Sequence, residues 1–428
     1  MEYPVWQVPY VNGGLLIAVI AVVHVFVAHF AVGGGLFLVL AERLGLRRDS
    51  RPILDYVRGH TKFFLLLTMV FGALTGVGIW FVISLVNPGA TSVLVHSFVF
   101  AWATEWTFFL GEIAALLVYH YTFGSMNPRD HQRVGWIYAA FAWLSLFAIN
   151  GILCFMLTPG AWSGPADFWT GFFNPTFWPS LALRTCLALI LAGLFGLLTA
   201  TRIKDEDARR TLESFCAKFV AVPSLALPLS AWWYLEALPE PQLAMVLRQT
   251  ADIAPFAKGF MFVMPLVFLG GMAFCRLRLP GTVARALAVF LLVLGFAQIA
   301  SFEWVREAGR RPWVIHGHMY STGISVAQVR SLQGSFLQAA KWTEHKAVTD
   351  DNALDVGREL YVQQCKSCHG LRGPMLDMAR RAGPMPVLGL ETQLAGQGRL
   401  LPYMPPFLGD EAERKALSRY ITEVLRAR

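Results

Sequence analysis

Near the C-terminus two cysteines and a histidine stand together in Cys365-Lys366-Ser367-Cys368-His369. Thiols separated by two residues reach the two vinyl groups of one porphyrin, and the adjoining imidazole can ligate its iron. C-x-x-C-H is therefore the attachment signature of c-type haem. Alone, five such residues would also fit half of a zinc site. Tyr403-Met404-Pro405-Pro406-Phe407 lies about 35 residues beyond, and Met375, Met378 and Met385 are sulfurs nearer the motif. A His/Met pair raises the potential of haem, which suits an electron carrier. Cys154, Cys186, Cys216 and Cys275 lie in or at the ends of apolar runs, and no disulfide framework is visible.

The elements that must hold this chemistry are written in the composition. Of 428 residues, 55% are hydrophobic and only 15% charged, against roughly a quarter charged in an ordinary soluble domain. The mean hydropathy is +0.49. Disorder, coiled coil and a typical soluble enzyme are excluded. Eight apolar runs, about 13–41, 62–86, 97–122, 134–158, 177–200, 215–237, 256–275 and 284–304, are each long enough to cross a bilayer. From about residue 345 the chain turns polar and is punctuated by Pro and Gly.

Basic residues crowd the odd loops: Arg43, Arg47, Arg48, Arg51, Arg58 and Lys62; Arg129 and Arg133; Arg202, Lys204, Arg209 and Arg210; Arg276, Arg278 and Arg285. The even loops carry only Arg248. The positive-inside rule puts the odd loops in the cytoplasm and both termini outside. The net charge of +8 is thus a solvated cytoplasmic face, and nucleic acid is not an expected partner. The N-terminus has no basic n-region, so the first span is expected to stay in the mature protein.

Within the runs stand groups that are expensive at membrane depth and usually functional: His24, His29, Glu105, Glu112, Arg184, Lys258, Glu303 and Glu307. Most fall in the outer half of the bilayer. Glu105 and Glu112, seven apart, share a helix face, as do Glu303 and Glu307, four apart. His24 and His29 lie about 140° apart on the helix and cannot serve one iron together. Each histidine could instead be a packing residue, and the glutamates could form a structural ion pair. Glu236 and Lys258 flank the sixth loop, as proton-handling groups or as an interfacial ion pair. His60 and His131 fall in basic loops and read as exposed. His316 and His318 read as an ordered turn or, less simply, a metal site.

Two resemblances organise these residues. The tail resembles class I cytochrome c over about 350–428. A helix-like stretch carries Leu354, Gly357, Leu360 and Tyr361; then come C-x-x-C-H, the Met-Pro-Pro loop and a closing helix. That helix opens on an Asp410-x-x-Glu413 box and shows Leu417, Tyr420, Ile421, Val424 and Leu425 on one face. The match implies one covalent haem c with His369 and Met404 as axial ligands. The stretch Glu307-Ala308-Gly309-Arg310-Arg311-Pro312-Trp313 is similar to the E-x-G-R-x-P-W segment of cytochrome bd quinol oxidase subunit I. The first run, with His24, Gly33-Gly34-Gly35 and Glu42, the paired glutamates of the third, and Asn150-Gly151 extend this likeness over about 10–318. It implies a nine-span bundle with its N-terminus outside, the ninth span replaced here by the cytochrome c domain. It also implies that His24, one of Glu105 and Glu112, and Glu307 match ligands and neighbours of a di-haem site. Met261 would match the Met ligand of the quinol-side b haem. Three departures stand out: the glutamates are one residue closer, Arg184-Thr185 stands where the His opposite Met261 is expected, and the quinol-binding loop is short.

The expectation is an all-α polytopic membrane bundle of eight spans, both termini outside, with a C-terminal cytochrome c domain: 1–304 membrane domain, 305–345 periplasmic connector, 346–428 monohaem cytochrome c. Its expected place is the bacterial inner membrane, with the c domain on the periplasmic side. Its expected function is electron transfer between b-type haem, one or more, and the c haem, linked to quinol and delivering to a soluble periplasmic carrier. Membrane lipid, the quinone pool and a second membrane subunit or second copy are the other expected partners. The alternatives are an oxygen reductase fed through the c haem and a non-catalytic electron-transfer or anchor subunit of a larger complex. Replacing Cys365 and Cys368 together with Ala should abolish haem staining of the chain on a denaturing gel; unchanged staining would refute covalent attachment at this motif.

Overall fold

The computed structural model describes residues 3–6, 8–249, 253–370, 372–373, 376–382 and 384–424. Among these, eight helices are long and apolar enough to span a membrane. They are α1 Gly13–Arg47, α2 Arg51–Val86, α3 Val99–Tyr121, α4 Pro128–Phe155, α5 Phe177–Ala200, α6 Glu206–Glu236, α7 Ala254–Arg276 and α8 Gly281–Ala308. Each apolar run becomes one helix, and several helices outlast their runs. α4 opens on Asn127, whose side chain accepts the Arg129 N–H, and α6 on Asp205, which accepts that of Ala208. Polar turns thus continue the helices past the apolar stretch.

The chain divides into two compact units. The larger comprises Ala21–Val77 and Phe98–Gly309. In it α3 packs on α4, α5 on α6, α7 on α6 and α8, and α8 on α5. The Gly33-Gly34-Gly35 triplet lets α1 meet three neighbours within one turn. A Cβ on Gly33 would collide with the Ala188 carbonyl of α5, one on Gly34 with the Phe64 ring of α2, and one on Gly35 would stand 2.9 Å from the Ala139 backbone of α4. Small residues at such crossings bring backbones together where no hydrophobic effect drives association.

His60 and His131 are not exposed, as their place among basic loops suggested. Both are buried, because α2 and α4 begin before them and the helical turn directs them inward. His60 stacks on Tyr56 and pairs through Nδ1 with Thr199 Oγ1 at 3.0 Å. His131 pairs with Glu42.

The smaller unit comprises Met1–Ile20, Gly78–Ser97 and Arg310–Arg428. Trp313–Ile315 (β1) and Met319–Tyr320 (β2) form a hairpin whose turn holds His316 and His318. Then follow α9 Val326–Ser331, α10 Phe336–Ala339, α11 Ala353–Gln364, α12 Met378–Ala382, α13 Val387–Ala395 and α14 Glu411–Arg419, which continues as a π turn over Tyr420–Val424. Met375 and Leu425, and the side chains of Arg248 and Val424, lie outside the described residues.

Val356, Leu360 and Tyr361 of α11 meet Ala416, Leu417, Tyr420 and Ile421 of the closing helix in one core. Gly357 makes the crossing close, since a Cβ there would strike the Ala416 carbonyl. Phe336 and Leu337 of α10 are wholly buried in the same core. Glu413 ties the segment down. Its carboxylate accepts from Phe336 N and Leu337 N, each at 2.9 Å, from Asp410 N at 3.0 Å and from Ser335 Oγ at 2.5 Å. Glu413→Ala would strand at least two buried backbone donors, costing at least ~2 kcal/mol. That should lower the melting temperature of the cytochrome domain by roughly 8–16 °C, read by the loss of haem Soret dichroism on heating. An unchanged melt would contradict the brace.

Candidate haem sites

The C-x-x-C-H loop is the C-terminal end of α11. Cys365 N–H donates to the Tyr361 carbonyl at 2.9 Å and His369 N–H to that of Cys365 at 2.9 Å, so the helix turns directly into the motif. Tyr361 Oη donates to the His369 carbonyl at 2.9 Å and fixes its backbone. The His369 ring is aimed by its second nitrogen. Nδ1 lies 3.0 Å from the Leu376 carbonyl, which can only accept, so Nδ1 carries the hydrogen and Nε2 keeps its lone pair. Burial lowers the imidazole to about 4, against the pull of the Leu376 bond, and keeps it neutral. Burial also pushes the Cys365 thiol up to about 12.

Gln364 joins the two halves of the cradle. Its Nε2 donates to the Leu408 carbonyl at 2.7 Å and its Oε1 accepts the Leu408 N–H at 2.9 Å. The Met404-Pro405-Pro406-Phe407 loop, just before Leu408, is thereby pinned to the residue preceding Cys365. Gln397 Nε2 holds the Pro405 carbonyl at 2.9 Å from the other side. Met404 is half-buried, whereas Met378 is buried in the domain core. Two thiols, a neutral histidine with a free lone pair and a braced methionine loop are the donor set that c-type haem requires. Neither glutamine carried a signal in the sequence beyond its place beside a motif.

In the larger unit the two histidines of α1 have opposite fates. Thr75 Oγ1 donates to the Phe71 carbonyl at 2.8 Å, so it accepts from His24 Nδ1 at 3.1 Å. Nε2 of His24 then keeps its lone pair, and no side chain engages it among the described residues. Gly76 leaves room for the ring, since a Cβ there would stand 3.2 Å from Cε1. The π-helical turn Leu66–Gly72 just before these residues sets the face that α2 shows to His24. His29 has no such freedom. Its Nδ1 donates to the Val25 carbonyl at 2.8 Å, and its Nε2 faces Arg184 Nη1 at 3.5 Å. His24 fits a metal-ligating imidazole; His29 is a packing residue of a buried ionic cluster.

In that cluster Arg184, Glu303, Arg306 and Glu307 are linked in one chain of ion pairs. Arg184 of α5 pairs with Glu303 of α8 at 2.7 Å, and Glu303 also accepts from Arg306 Nε at 3.0 Å. Arg184 is 1% and Glu303 2% exposed, and the Arg184 guanidinium lies 5.1 Å from the Phe302 ring centroid. Glu307 approaches Arg306 at 3.6 Å and is half-buried. Met261 is not drawn to Arg184; it is 53% exposed on α7. Glu105 accepts from Ser145 of α4 at 2.9 Å, and Glu112 stands one heptad further along the same helix. Glu236 and Lys258 are exposed.

Breaking one partner of such a buried pair leaves an uncompensated charge, at about 3–5 kcal/mol. Glu303→Gln should therefore markedly lower the thermal stability of the purified bundle, while the double replacement Arg184→Leu with Glu303→Leu recovers most of it. Equal melts for wild type and Glu303→Gln would show that the pair holds nothing together.

Comparison with known proteins agrees with this construction. Residues 15–234 match the family model described as cytochrome bd terminal oxidase subunit I. Residues 352–421 match that of cytochrome C oxidase, cbb3-type, subunit III. Curated proteins give no match. Among solved structures, the bd oxidase from Geobacillus thermodenitrificans aligns with a TM-score of 0.62 at 17% identity, over 73% of this chain and 90% of that one. At that identity the likeness shows the fold. The family models indicate binding of haem b in the bundle and haem c in the tail. The chain is a multi-pass membrane haem protein that belongs to the cytochrome bd terminal oxidase subunit I family and carries a cytochrome c domain at its C-terminal end.

Proposed function

We propose that this chain is a respiratory oxidoreductase that takes electrons from a soluble periplasmic carrier through its c haem and passes them to a b-type haem site at His24, where dioxygen is reduced. One observation carries this direction. The resemblance to cytochrome bd puts a haem-ligating histidine opposite Met261, on the quinol side. There Arg184 is sealed by Glu303 and His29, and Met261 faces outward. An arginine thus stands where the resemblance expects that histidine, whereas His24 and His369 each keep a lone pair on Nε2, which supports the reading.

Bound haem supplies reversible one-electron chemistry at iron. The residues supply the rest. Thr75 holds His24 in the tautomer that ligates, as the Leu376 carbonyl does His369. Gln364 and Gln397 keep the Met404 loop in place, whose sulfur would serve as a second ligand to the iron. Glu105 and Glu112 are carboxyl groups that can hold protons for the reduction of each dioxygen to two waters, which takes four electrons and four protons.

Two measurements on the purified full chain test the reading. Reduced soluble cytochrome c should reduce the b-type bands and support oxygen uptake, and ubiquinol or menaquinol should not; reduction by quinol alone would reverse the proposed direction. His24→Ala should remove b-type absorbance and spare the c haem, while His29→Ala retains both. Loss of a b band in His29→Ala with none in His24→Ala would overturn the ligand assignment.

A further inference from the structure

The haem-attachment loop is met by chain from outside the cytochrome domain. Gly14 stands in the first turn of α1, where a backbone N–H has no partner within its own helix. It donates to the carbonyl of Ser367, inside C-x-x-C-H, at 3.0 Å. The next N–H, that of Leu15, is taken by Asn12 Oδ1 at 2.7 Å. Just past the motif, a Cβ on Gly373 would collide with the Tyr10 carbonyl, and one on Gly13 with Val86 of α2. All of these residues belong to the smaller unit.

A second contact lies at the porphyrin edge. Covalent attachment bonds Cys368 Sγ to that edge. This sulfur lies 3.4 Å from the hydroxyl of Ser321, which follows β2. A thioether has no hydrogen, so the serine is then the donor. Ser321 is itself fixed. Its N–H donates to the Pro312 carbonyl at 2.8 Å, and its carbonyl accepts from Nδ2 of Asn87, just past α2, at 3.2 Å. Gly89 closes the same joint, since a Cβ there would stand 2.9 Å from the Gly323 carbonyl. Neither Gly373 nor Gly89 adopts a positive φ. Their own backbones do not call for glycine; the close approach of a second segment does.

We infer that the c domain is a seated relay: its attachment loop rests on the first turn of α1 and on the hairpin, and electrons cross between haem c and the b-type haem by way of the Cys368 edge. The inference rests on the proposed electron transfer and adds its port. The step moves one electron. Ferrous haem c becomes ferric, ferric b haem becomes ferrous, and no bond or proton changes place. A domain on a free tether would not need Gly373 bare against Tyr10, or its motif carbonyl spent on α1. The soluble donor reaches haem c from another side, because the hairpin occupies this one.

The test uses the full-length, haem-loaded protein in detergent and a flash-activated ruthenium complex that reduces haem c. Transfer to the b haem, read per haem c, should keep its rate when glycerol thickens the solvent, because no domain has to move. Gly373→Ala and Gly89→Ala press on the seat at separate points. Each should slow the transfer at least about tenfold, since displaced partners react more slowly. Hydrogen exchange over residues 8–16 should be at least about tenfold faster in Gly373→Ala than in the wild type. If Gly373→Ala takes up no haem c, Gly89→Ala decides alone. A wild-type rate that falls with glycerol reveals a moving domain and overturns the seat. Wild-type rates in both variants overturn the port. Failure of the proposed function shows separately: a wild type without b haem overturns that reading together with the port, while the exchange at residues 8–16 still decides the seat.

Discussion

A charged or hydrogen-bonding group inside an apolar bundle must find its partner within the protein, because no water is there to serve. The bundle is arranged around that requirement. Glu303 binds two arginines, Glu42 collects three donors, and His29 spends its ring nitrogens on Val25 and Arg184. His24 and His60 share another arrangement: in each, Nδ1 is held by a threonine and Nε2 is engaged by no side chain among the described residues.

The same rule acts in the cytochrome domain. His369 and His24 belong to different units and different helices, yet each is oriented by an acceptor on Nδ1 that leaves Nε2 its lone pair. That shared device leaves each of the two imidazoles able to ligate a metal. The buried arginine at position 184 works the other way. A guanidinium cannot ligate iron, and its need for Glu303 closes the space around it.

Much of this was legible in the sequence. The eight spans followed from apolar length, and the cytochrome c domain from C-x-x-C-H with its Met-Pro-Pro loop, because those signals are local. His24 and His29, about 140° apart on the helix, have different surroundings, Thr75 for one and Val25 with Arg184 for the other. What was hidden depends on pairing between distant segments. His60 and His131 were misread as exposed because the basic residues around them mark loops, while the helices that bury them begin earlier. Gln364 and Thr75 had no pattern of their own, and the pairing of Arg184 with Glu303 joins two spans more than a hundred residues apart.

The central claim is that one chain holds both kinds of haem. A pyridine haemochrome assay on the purified full-length protein, expressed without other subunits, tests it directly. The account predicts one haem c and at least one haem b per chain. One haem c with no haem b would contradict it and leave the bundle an anchor for a cytochrome.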